Sequence, residues 1–452
     1  MLKGMSVAAT TLGCKVNQAE TDSMLDMLKA AGANIVEFDE KADIYIVNTC
    51  SVTNIADKKS RQMLHRARKM NPDGIVIAAG CYVQSAREIL EQDEAIDIVI
   101  SNNKKKSITE IVNDYINVRN NEKNAPGKDH EAMEYFVDIS RETEYEEMGG
   151  HVPVGHTRAY LKIQDGCNQF CSYCIIPYVR GRIRSRSQEA ILAEVSELAE
   201  AGIKEVVLTG IHISSYGKDK NNEGALIELI EAISKIKGIK RIRLGSLEPG
   251  IITEEFVERI SSNSKVCPHF HLSLQSGCDS VLKRMNRKYT CKQYFEKCDM
   301  LRKAYKSPAL TTDVIVGFPG ETEEEFAETV RYLTELNLYE MHIFKYSPRK
   351  GTVAAAMKEQ VAPEIKNERS DVLLKLAHDN KTAYEAQFEG CELEVLVEEV
   401  VKKDNKTYLR GHTERYMDIL IDVGDISMPE SFVNSFVYVT YTQNGGNLPL
   451  LL

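Results

Sequence analysis

Short apolar runs alternate with amphipathic segments of helical period over residues 1 to about 120. Five runs have the length and composition of buried strands, namely "SVAATT", "NIVEF", "DIYIVN", "GIVIAAG" and "IDIVI". This alternation predicts a flavodoxin-like parallel α/β domain with the strand order 2-1-3-4-5. The segment "DEKA" between the second and third strands is too short for a crossover helix, which leaves the placement of those two strands open.

The same alternation occurs six times more between residue 158 and about residue 346. Six β/α units predict a partial (β/α)6 barrel, like a TIM barrel but two units short, with its site at the carboxyl ends of the strands. Four segments at predicted strand ends are either turns or parts of that site: "TGIHISSYG", "GSLEP", "LQSG" and "VGFPGET". Within them the candidate cofactor-binding residues are Thr209, Gly210, Ser246, Glu248 and Gln275.

The last part of the chain changes to short strands of alternating polarity. This pattern predicts a small antiparallel β-barrel, which is more plausible as a binding module than as an enzyme domain. An acidic stretch before the barrel units is typical of a solvated linker. We therefore predict an α/β protein with domains at 1–120, 158–388 and 389–452, and a linker at 121–157.

Composition narrows the class of protein. The chain has 452 residues, 43% of them hydrophobic, which is enough for several cores. It has no apolar run long enough to span a bilayer and no signal-peptide pattern at its start, so we expect a cytoplasmic protein. A net charge of −10 argues weakly against a nucleic-acid partner, although a local basic face is sufficient for one. Eleven cysteines at irregular spacing favour metal binding or catalysis over disulfides.

Three of these cysteines stand close together in "DGCNQFCSYCIIP", directly after the first predicted barrel strand. Cys167, Cys171 and Cys174 form a C-x3-C-x2-C motif, and Tyr173 before the last cysteine is a further candidate cofactor-binding residue. A structural zinc ion takes four protein ligands, and no fourth follows at the usual spacing. An iron-sulfur cube on three thiolates leaves one iron open to another ligand. The motif therefore favours a 4Fe-4S cluster over zinc or chance.

Cys14, Cys50 and Cys81 are far apart in sequence, but each follows a predicted strand of the N-terminal sheet. In the order 2-1-3-4-5, strands 1, 3 and 4 are neighbours, so the three thiols are expected to converge. The alternative is that they are ordinary buried cysteines. The other five show no ligand spacing and are interpreted as structural: Cys267, Cys278, Cys291, Cys298 and Cys391.

The C-x3-C-x2-C motif with its tyrosine resembles that of radical S-adenosylmethionine enzymes. Together with "TLGCKVNQAE", "NTCSVT" and "AAGCYVQ" it resembles their methylthiotransferase family, and the resemblance covers nearly the whole chain. It implies two 4Fe-4S clusters, one on each cysteine triad, with S-adenosylmethionine on the open iron of the barrel cluster. The C-terminal domain is similar to the TRAM RNA-binding module. Ser273 and Cys278 depart from the family pattern, which usually has proline and serine there.

The resemblance implies that the substrate is adenosine beside a tRNA anticodon or an aspartate of a ribosomal protein. "TLGCKVNQAE" resembles the subgroup that methylthiolates N6-threonylcarbamoyladenosine at carbon 2, with isopentenyladenosine as the alternative. A nonenzymatic iron-sulfur RNA-binding protein stays open as another class. The expected partners are the tRNA anticodon stem-loop and a reductant such as flavodoxin or ferredoxin, and the sulfur donor is unknown.

The segment "RGRIRSR" supplies a basic group at alternate positions just after the cysteine motif. If it is extended, its arginines point to one side and contact RNA phosphates; otherwise they belong to a solvated charged strand. The candidate RNA-binding residues are Arg180, Arg182, Arg184 and Arg186.

Overall fold

The computed structural model describes residues 2–122, 133–149, 157–404, 406–424, 428–443 and 446–447. No helix within these ranges is long and apolar enough to cross a membrane.

The N-terminal domain is a parallel sheet covered by helices. Its strands are β1 (Ser6–Thr11), β2 (Asn34–Ile35), β3 (Ile44–Thr49), β4 (Ile75–Gly80), β5 (Ile98–Ile100) and β6 (Met133–Tyr135). Its helices are α1 (Lys15–Ala30), α2 (Asn54–Met70), α3 (Cys81–Ser85), α4 (Arg87–Glu91) and α5 (Ile108–Glu122). The strands pair in the order β2-β1-β3-β4-β5-β6, which confirms the flavodoxin-like prediction for the first five.

The order of β2 and β3 follows from their lengths and connections. β2 is a two-residue edge strand, and the chain then crosses back over β1 to β3 without a helix. Asp43 attaches the start of β3 to β1, since its carboxylate accepts hydrogen bonds of 2.8 Å from the backbone N–H and the hydroxyl of Ser6. β6 lies in the interval that the sequence predicts as a linker, and it pairs with β5.

The central domain contains six parallel strands in chain order. They are β7 (Arg158–Asp165), β9 (Glu205–Gly210), β10 (Arg241–Leu244), β11 (His269–His271), β12 (Ala309–Val316) and β13 (Glu340–Lys345), and the two-residue β8 (Arg184–Ser185) pairs antiparallel with β7. The helices are α6 (Ile176–Val179), α7 (Gln188–Glu200), α8 (Ala225–Ser234), α9 (Glu254–Ser261), α10 (Asp279–Arg284), α11 (Cys291–Ala304), α12 (Glu323–Leu336) and α13 (Pro363–Ala386).

These strands form the expected partial barrel. β7, β9 and β10 form one continuous ladder, and β11, β12 and β13 form another. Single parallel bridges, Ile242 to Val266 and Leu247 to Leu272, join the two ladders. Alternate apolar side chains of the strands pack on the helices in one large core. The intervening side chains consequently face the barrel interior, because successive residues of a strand point to opposite faces.

The C-terminal domain is a small closed barrel. Its strands are β14 (Glu392–Lys403), β15 (Lys406–Thr413), β16 (Asp418–Asp422), β17 (Phe436–Thr440) and β18 (Gly446–Asn447). They close in the order β14-β15-β16-β18-β17, and the prediction of an entirely antiparallel barrel is corrected at one pair, since β18 is parallel to β16. The turn between β15 and β16 contains Tyr416, with a φ of 66°, and reaches the central barrel.

Candidate active site

The C-x3-C-x2-C motif lies in the loop after β7, at the carboxyl ends of the barrel strands. The loop begins at Gly166, whose φ is +70° and where an added Cβ would lie 1.8 Å from the carbonyl oxygen of Arg182. Only glycine fits so close an approach in this conformation. The Cys167 N–H donates to the Gly181 carbonyl at 3.0 Å, and the Cys174 N–H to the Cys171 carbonyl at 2.9 Å. The loop backbone thus holds the three cysteines together.

Hydrogen-bond donors face the sulfur atoms of this triad. The Arg287 guanidinium donates to Cys171 Sγ at 3.2 Å, and the Gln169 N–H donates to Cys167 Sγ at 3.4 Å. Burial raises the pKa of Cys167 to about 11 and that of Cys174 to about 12. Buried thiols with cationic neighbours become thiolates when a metal binds them. This donor set therefore fits an iron-sulfur cluster.

The triad lines a cavity together with four of the predicted cofactor-binding residues, Tyr173, Ser246, Glu248 and Gln275. The structure does not bring Thr209 and Gly210 into this lining. They end β9, and an added Cβ at Gly210 would lie 2.9 Å from the Gln164 carbonyl, which shows close packing behind the site. Residues that sequence reasoning missed complete the cavity: Gln169, His212, Ser273 and Arg287.

These side chains fit a polar, zwitterionic ligand. Carboxylate, amide and hydroxyl groups come from Glu248, Gln275 and Ser246, while Ile176 and Ile211 add apolar surface. The backbone N–H of His212 donates to the side-chain oxygen of Gln164 at 2.7 Å. Burial, and then the nearby Arg287, lower the pKa of His212 to about 4, so the ring is neutral at pH 7. Such a mixture is typical of small-molecule sites.

The second triad forms at the carboxyl edge of the N-terminal sheet. Cys14 follows β1, Cys50 follows β3 and Cys81 follows β4, and these three strands are neighbours. An added Cβ at Gly13 would lie 2.9 Å from Cys50 Sγ, so the first two loops are in contact. The Arg180 Nε donates to Cys81 Sγ at 3.2 Å. The structure thus brings together the three cysteines that follow neighbouring strands, as their positions in the sequence predicted.

Neither triad has the spacing of a mononuclear zinc site. Among the described residues, the three Sγ atoms of neither triad all lie within 4.8 Å of one another. Tetrahedral zinc with Zn–S bonds of about 2.3 Å holds its thiolates about 3.8 Å apart. The wider spacing favours a cluster, in which each thiolate binds a different iron.

Comparisons with known proteins agree with this geometry. Residues 161–333 match the model of the radical SAM superfamily, and residues 6–101 match that of the uncharacterized protein family UPF0004. The threonylcarbamoyladenosine tRNA methylthiotransferase MtaB of Bacillus subtilis is 40% identical over 92% of this chain and 90% of its own. The chain belongs to the methylthiotransferase family of radical S-adenosylmethionine enzymes. This methylthiotransferase therefore uses S-adenosylmethionine and 4Fe-4S clusters.

Other relatives divide between two names. MtaB of Aquifex aeolicus is 38% identical over 92% of this methylthiotransferase and 98% of its own chain. The tRNA-2-methylthio-N6-dimethylallyladenosine synthase of Thermoanaerobacter pseudethanolicus is 35% identical over 96% of this chain and 90% of its own. Among solved structures, the radical S-adenosylmethionine methyltransferase TsrM of Kitasatospora setae superposes with a TM-score of 0.56 at 15% identity, covering 75% of this chain and 73% of its own. That similarity concerns the fold alone.

Three of the four arginines predicted to contact RNA are buried in the methylthiotransferase, which corrects that interpretation. Arg180 and Arg184 are fully buried, and Arg186 is 5% exposed. Only two residues of "RGRIRSR" are in a strand, and the arginines pair with carboxylates instead of following one exposed face. Arg186, for example, pairs with Glu147 and Glu194. Arg182 alone is exposed, with its guanidinium 4.5 Å from the centre of the Phe170 ring.

Arg180 belongs to a buried charge network between the N-terminal domain and the barrel. Its guanidinium pairs with Glu20 of α1 and, at 3.2 Å, with Asp165 at the end of β7. Lys162 bridges the same two carboxylates at 2.7 Å each, and Lys105 also pairs with Glu20. Burial would raise the pKa of Asp165, but Lys162 and then Arg180 lower it well below its usual range. Arg184 also lies 3.7 Å from the Asp165 carboxylate, so four cations face two carboxylates. The network thus has a surplus of positive charge, and Arg180 places part of it beside Cys81.

The barrel interior contains further polar groups that no local motif indicated. His271 of β11, Asp313 of β12 and His342 of β13 have ligand atoms within 4.8 Å of one another. The His271 Nε2 lies 3.3 Å from the Asp313 carboxylate, and its Nδ1 lies 3.0 Å from the Thr311 hydroxyl. These residues are on neighbouring strands, and alternation turns them toward the interior. The space beside the cavity is consequently polar.

Proposed function

We propose that the protein attaches a methylthio group to carbon 2 of the adenine in N6-threonylcarbamoyladenosine beside the anticodon of tRNA. Three relatives named for that nucleoside are 37% to 40% identical and a fourth is 35% identical, whereas the relatives named for dimethylallyladenosine are 35% to 36% identical. The motif "CKVN" favours the same subgroup. The second candidate is dimethylallyladenosine, which is the isopentenyladenosine of the sequence analysis under its other name. The relatives named for it align over as much of the chain.

The observation that carries the reaction is the proximity of the two cysteine triads. Cys81 packs against Ile175 and Val179, which directly follow the barrel motif in the chain. Arg180 contacts both Cys81 and Asp165, and Asp165 lies two residues before the first motif cysteine. Two triads joined by these contacts are suited to a reaction that needs both.

In this proposal each triad holds one 4Fe-4S cluster, and Tyr173, Ser246, Glu248 and Gln275 bind S-adenosylmethionine beside the barrel triad. Reductive cleavage of the bound S-adenosylmethionine supplies the one-electron chemistry that an adenine C–H bond requires, since that carbon carries no acidic proton. Arg287 holds the motif loop against the barrel, because its guanidinium donates to Cys171 Sγ and also to the Ser273 carbonyl at 3.3 Å. Thr209 and Gly210 support the site through the packing of β9.

The proposal includes the partners that such a reaction needs. An exposed cation and two aromatic rings suited to RNA lie beside the motif loop, where Arg182, the half-buried Phe170 and the 49%-exposed Tyr178 are neighbours. Base stacking on aromatic side chains and phosphate contacts by arginine are the usual means of binding single-stranded loops. The C-terminal barrel, similar to the TRAM module, adds a second RNA contact. A reductant of the flavodoxin or ferredoxin class and a cytoplasmic location complete the proposal.

The test of the cluster assignment uses two triple variants. Replacement of Cys167, Cys171 and Cys174 by alanine should remove about half of the iron and all formation of 5'-deoxyadenosine. Replacement of Cys14, Cys50 and Cys81 should also remove about half of the iron, while 5'-deoxyadenosine still forms and no sulfur is inserted. A second variant with the iron content of the intact protein would show that its cysteines are ordinary core residues.

The test of the substrate is a competition between two tRNAs, one bearing N6-threonylcarbamoyladenosine and the other dimethylallyladenosine. The reduced protein should methylthiolate the first, as measured by mass spectrometry of the nucleosides. Product from the dimethylallyl tRNA alone would overturn the substrate and leave the reaction type in place.

A further inference from the structure

Three cations from two domains surround one tyrosine ring of the third domain. The Tyr416 ring lies 5.5 Å from the Lys15 ammonium, 5.0 Å from the Arg158 guanidinium and 4.8 Å from that of Arg243. Lys15 begins α1, the two arginines belong to barrel strands β7 and β10, and the tyrosine belongs to the β15–β16 turn. We call these four residues the Tyr416 cluster. It is a concentration of positive charge at the junction of all three domains.

Two of the three cations have carboxylate partners. Arg158 pairs with Glu398 at 3.0 Å, and Arg243 pairs with Glu205 at 2.7 Å. Lys15 forms neither a hydrogen bond nor an ion pair with any described residue, and its side chain is exposed to solvent. In addition, the buried Nη1 of Arg158 has no hydrogen-bond partner in the described part of the chain. The cluster therefore has an excess of unpaired hydrogen-bond donors and of positive charge. Both features favour the binding of an anion.

The position of Lys15 relates this charge to the reaction. Lys15 directly follows Cys14, and its ammonium lies 5.7 Å from the centre of the Tyr160 ring. Tyr160 alternates along β7 with the core residues Ala159 and Leu161, so it faces the barrel interior. An anion held by Lys15 would consequently lie between the barrel interior and the second cysteine triad.

We infer that Lys15, supported by the other three residues of the Tyr416 cluster, binds the carboxylate of the threonylcarbamoyl group on the substrate adenine. The inference rests on the proposed function, because it takes N6-threonylcarbamoyladenosine as the substrate. That nucleoside carries a free carboxylate, whereas dimethylallyladenosine has only a hydrocarbon at the same nitrogen. A lysine with no carboxylate partner among the described residues thus distinguishes the two, since it favours the charged group and gains nothing from the apolar one.

The experiment measures binding of anticodon stem-loop RNAs to the anaerobically purified holoprotein. One RNA carries N6-threonylcarbamoyladenosine, the second carries its methyl ester and the third carries unmodified adenosine. The intact protein should bind the acid roughly tenfold to hundredfold more tightly than the ester, the range expected for one charge-assisted hydrogen bond. Lys15→Gln should remove this preference and Lys15→Arg should retain it. Iron content is measured for each variant, because the residue adjoins Cys14.

Lys29→Gln is the matched control, because it removes the same charge from an exposed position in the last turn of the same helix. It should keep the preference for the acid. Equal binding of acid and ester by the intact protein would overturn the inference, and so would a Lys15→Gln variant that weakens all three RNAs equally, since that result identifies a phosphate contact. Methylthiolation of the acid RNA by the intact protein is scored separately. The proposed function fails only if that turnover is absent.

Discussion

At the scale of single residues, neighbouring arginines of one basic segment have different roles. Arg180 is fully buried and contacts Glu20, Asp165 and Cys81, whereas Arg182 is exposed over Phe170. Their spacing in sequence is typical of one face of a strand, but burial separates them. A buried arginine that pairs with two carboxylates is a structural element of the domain interface, and an exposed one remains available to RNA.

The first prediction compares Arg180→Gln with Arg182→Gln. Arg180→Gln removes the buried hydrogen bonds that the guanidinium donates to Glu20, Asp165 and Asn17. The unfolding free energy should therefore fall by about 3 kcal/mol or more, as measured by chemical denaturation under anaerobic conditions. Arg182→Gln should leave stability unchanged, weaken tRNA binding and reduce the slope of log affinity against log salt by roughly 0.7 to 0.9. Weaker tRNA binding with unchanged stability in the Arg180 variant would contradict the assignment.

At the scale of elements, the connections after the parallel strands bring the second triad together. β1, β3 and β4 end at one edge of the sheet, and each is followed within a few residues by a cysteine. The turn after β1 is tight because Gly13 has a φ of +107° and lies against Cys50. The site thus depends on the strand order together with close approaches such as the one at Gly13.

The second prediction tests that glycine with a matched control. Gly13→Ala places a methyl group 2.9 Å from Cys50 Sγ, while Gly4→Ala, at a φ of +86°, places one where no atom lies within 4 Å. Both substitutions incur a similar backbone cost of about 1 kcal/mol, since both residues have positive φ. Only Gly13→Ala should lose the iron of the second triad, about half of the total, with 5'-deoxyadenosine formation retained. Equal iron in the two variants would exclude a steric role for this position.

At the scale of the whole molecule, two buried arginines attach the N-terminal domain to the barrel. Arg180 is the first, and Arg349, after β13, is the second. Arg349 donates to the Ser51 hydroxyl and the Asn54 side chain at 2.8 Å each, and it pairs with Asp57 at 2.7 Å. Ser51 directly follows Cys50, so this tether positions the second triad relative to the barrel. No sequence motif singled it out.

The third prediction concerns coupling between the two sites. Arg349→Met should leave the iron content unchanged, because it removes no cysteine, but should lower the methylthiolated product formed per 5'-deoxyadenosine by roughly tenfold, since small misplacements of reacting groups have large effects on rate. Arg369→Met is the control, because Arg369 is similarly buried but pairs with Glu321 inside the barrel domain. Its stability should fall while the product ratio is retained. If the Arg349 variant forms as much methylthiolated product per 5'-deoxyadenosine as the intact protein, Arg349 has no role in coupling the two sites.

The alternation of apolar and polar residues was sufficient to predict the α/β class, the six-unit barrel and the order of the N-terminal sheet, except that the placement of its second and third strands stayed open. The positions of the cysteines relative to the predicted strands supplied the two candidate triads. These features depend on periodicity and on local spacing, which a sequence displays directly. The short parallel β18 escaped prediction because two residues carry no periodic signal. The predicted linker likewise concealed β6, whose three residues join the sheet only through the hydrogen bonds of β5.

Tertiary structure alone decided which charged residues are buried, because burial depends on the elements that pack over a side chain and not on its neighbours in the chain. The four arginines of "RGRIRSR" look equivalent in sequence, yet α1 and the strand β7 bury Arg180 at the domain interface. In the same way Lys15, Arg158, Arg243 and Tyr416 are distant in sequence and meet only where three domains join. The sequence by itself therefore determined the fold class, the family and the two candidate cysteine triads. The packing of domains determined which of the described cations are paired with carboxylates, and it left Lys15 without such a partner among them.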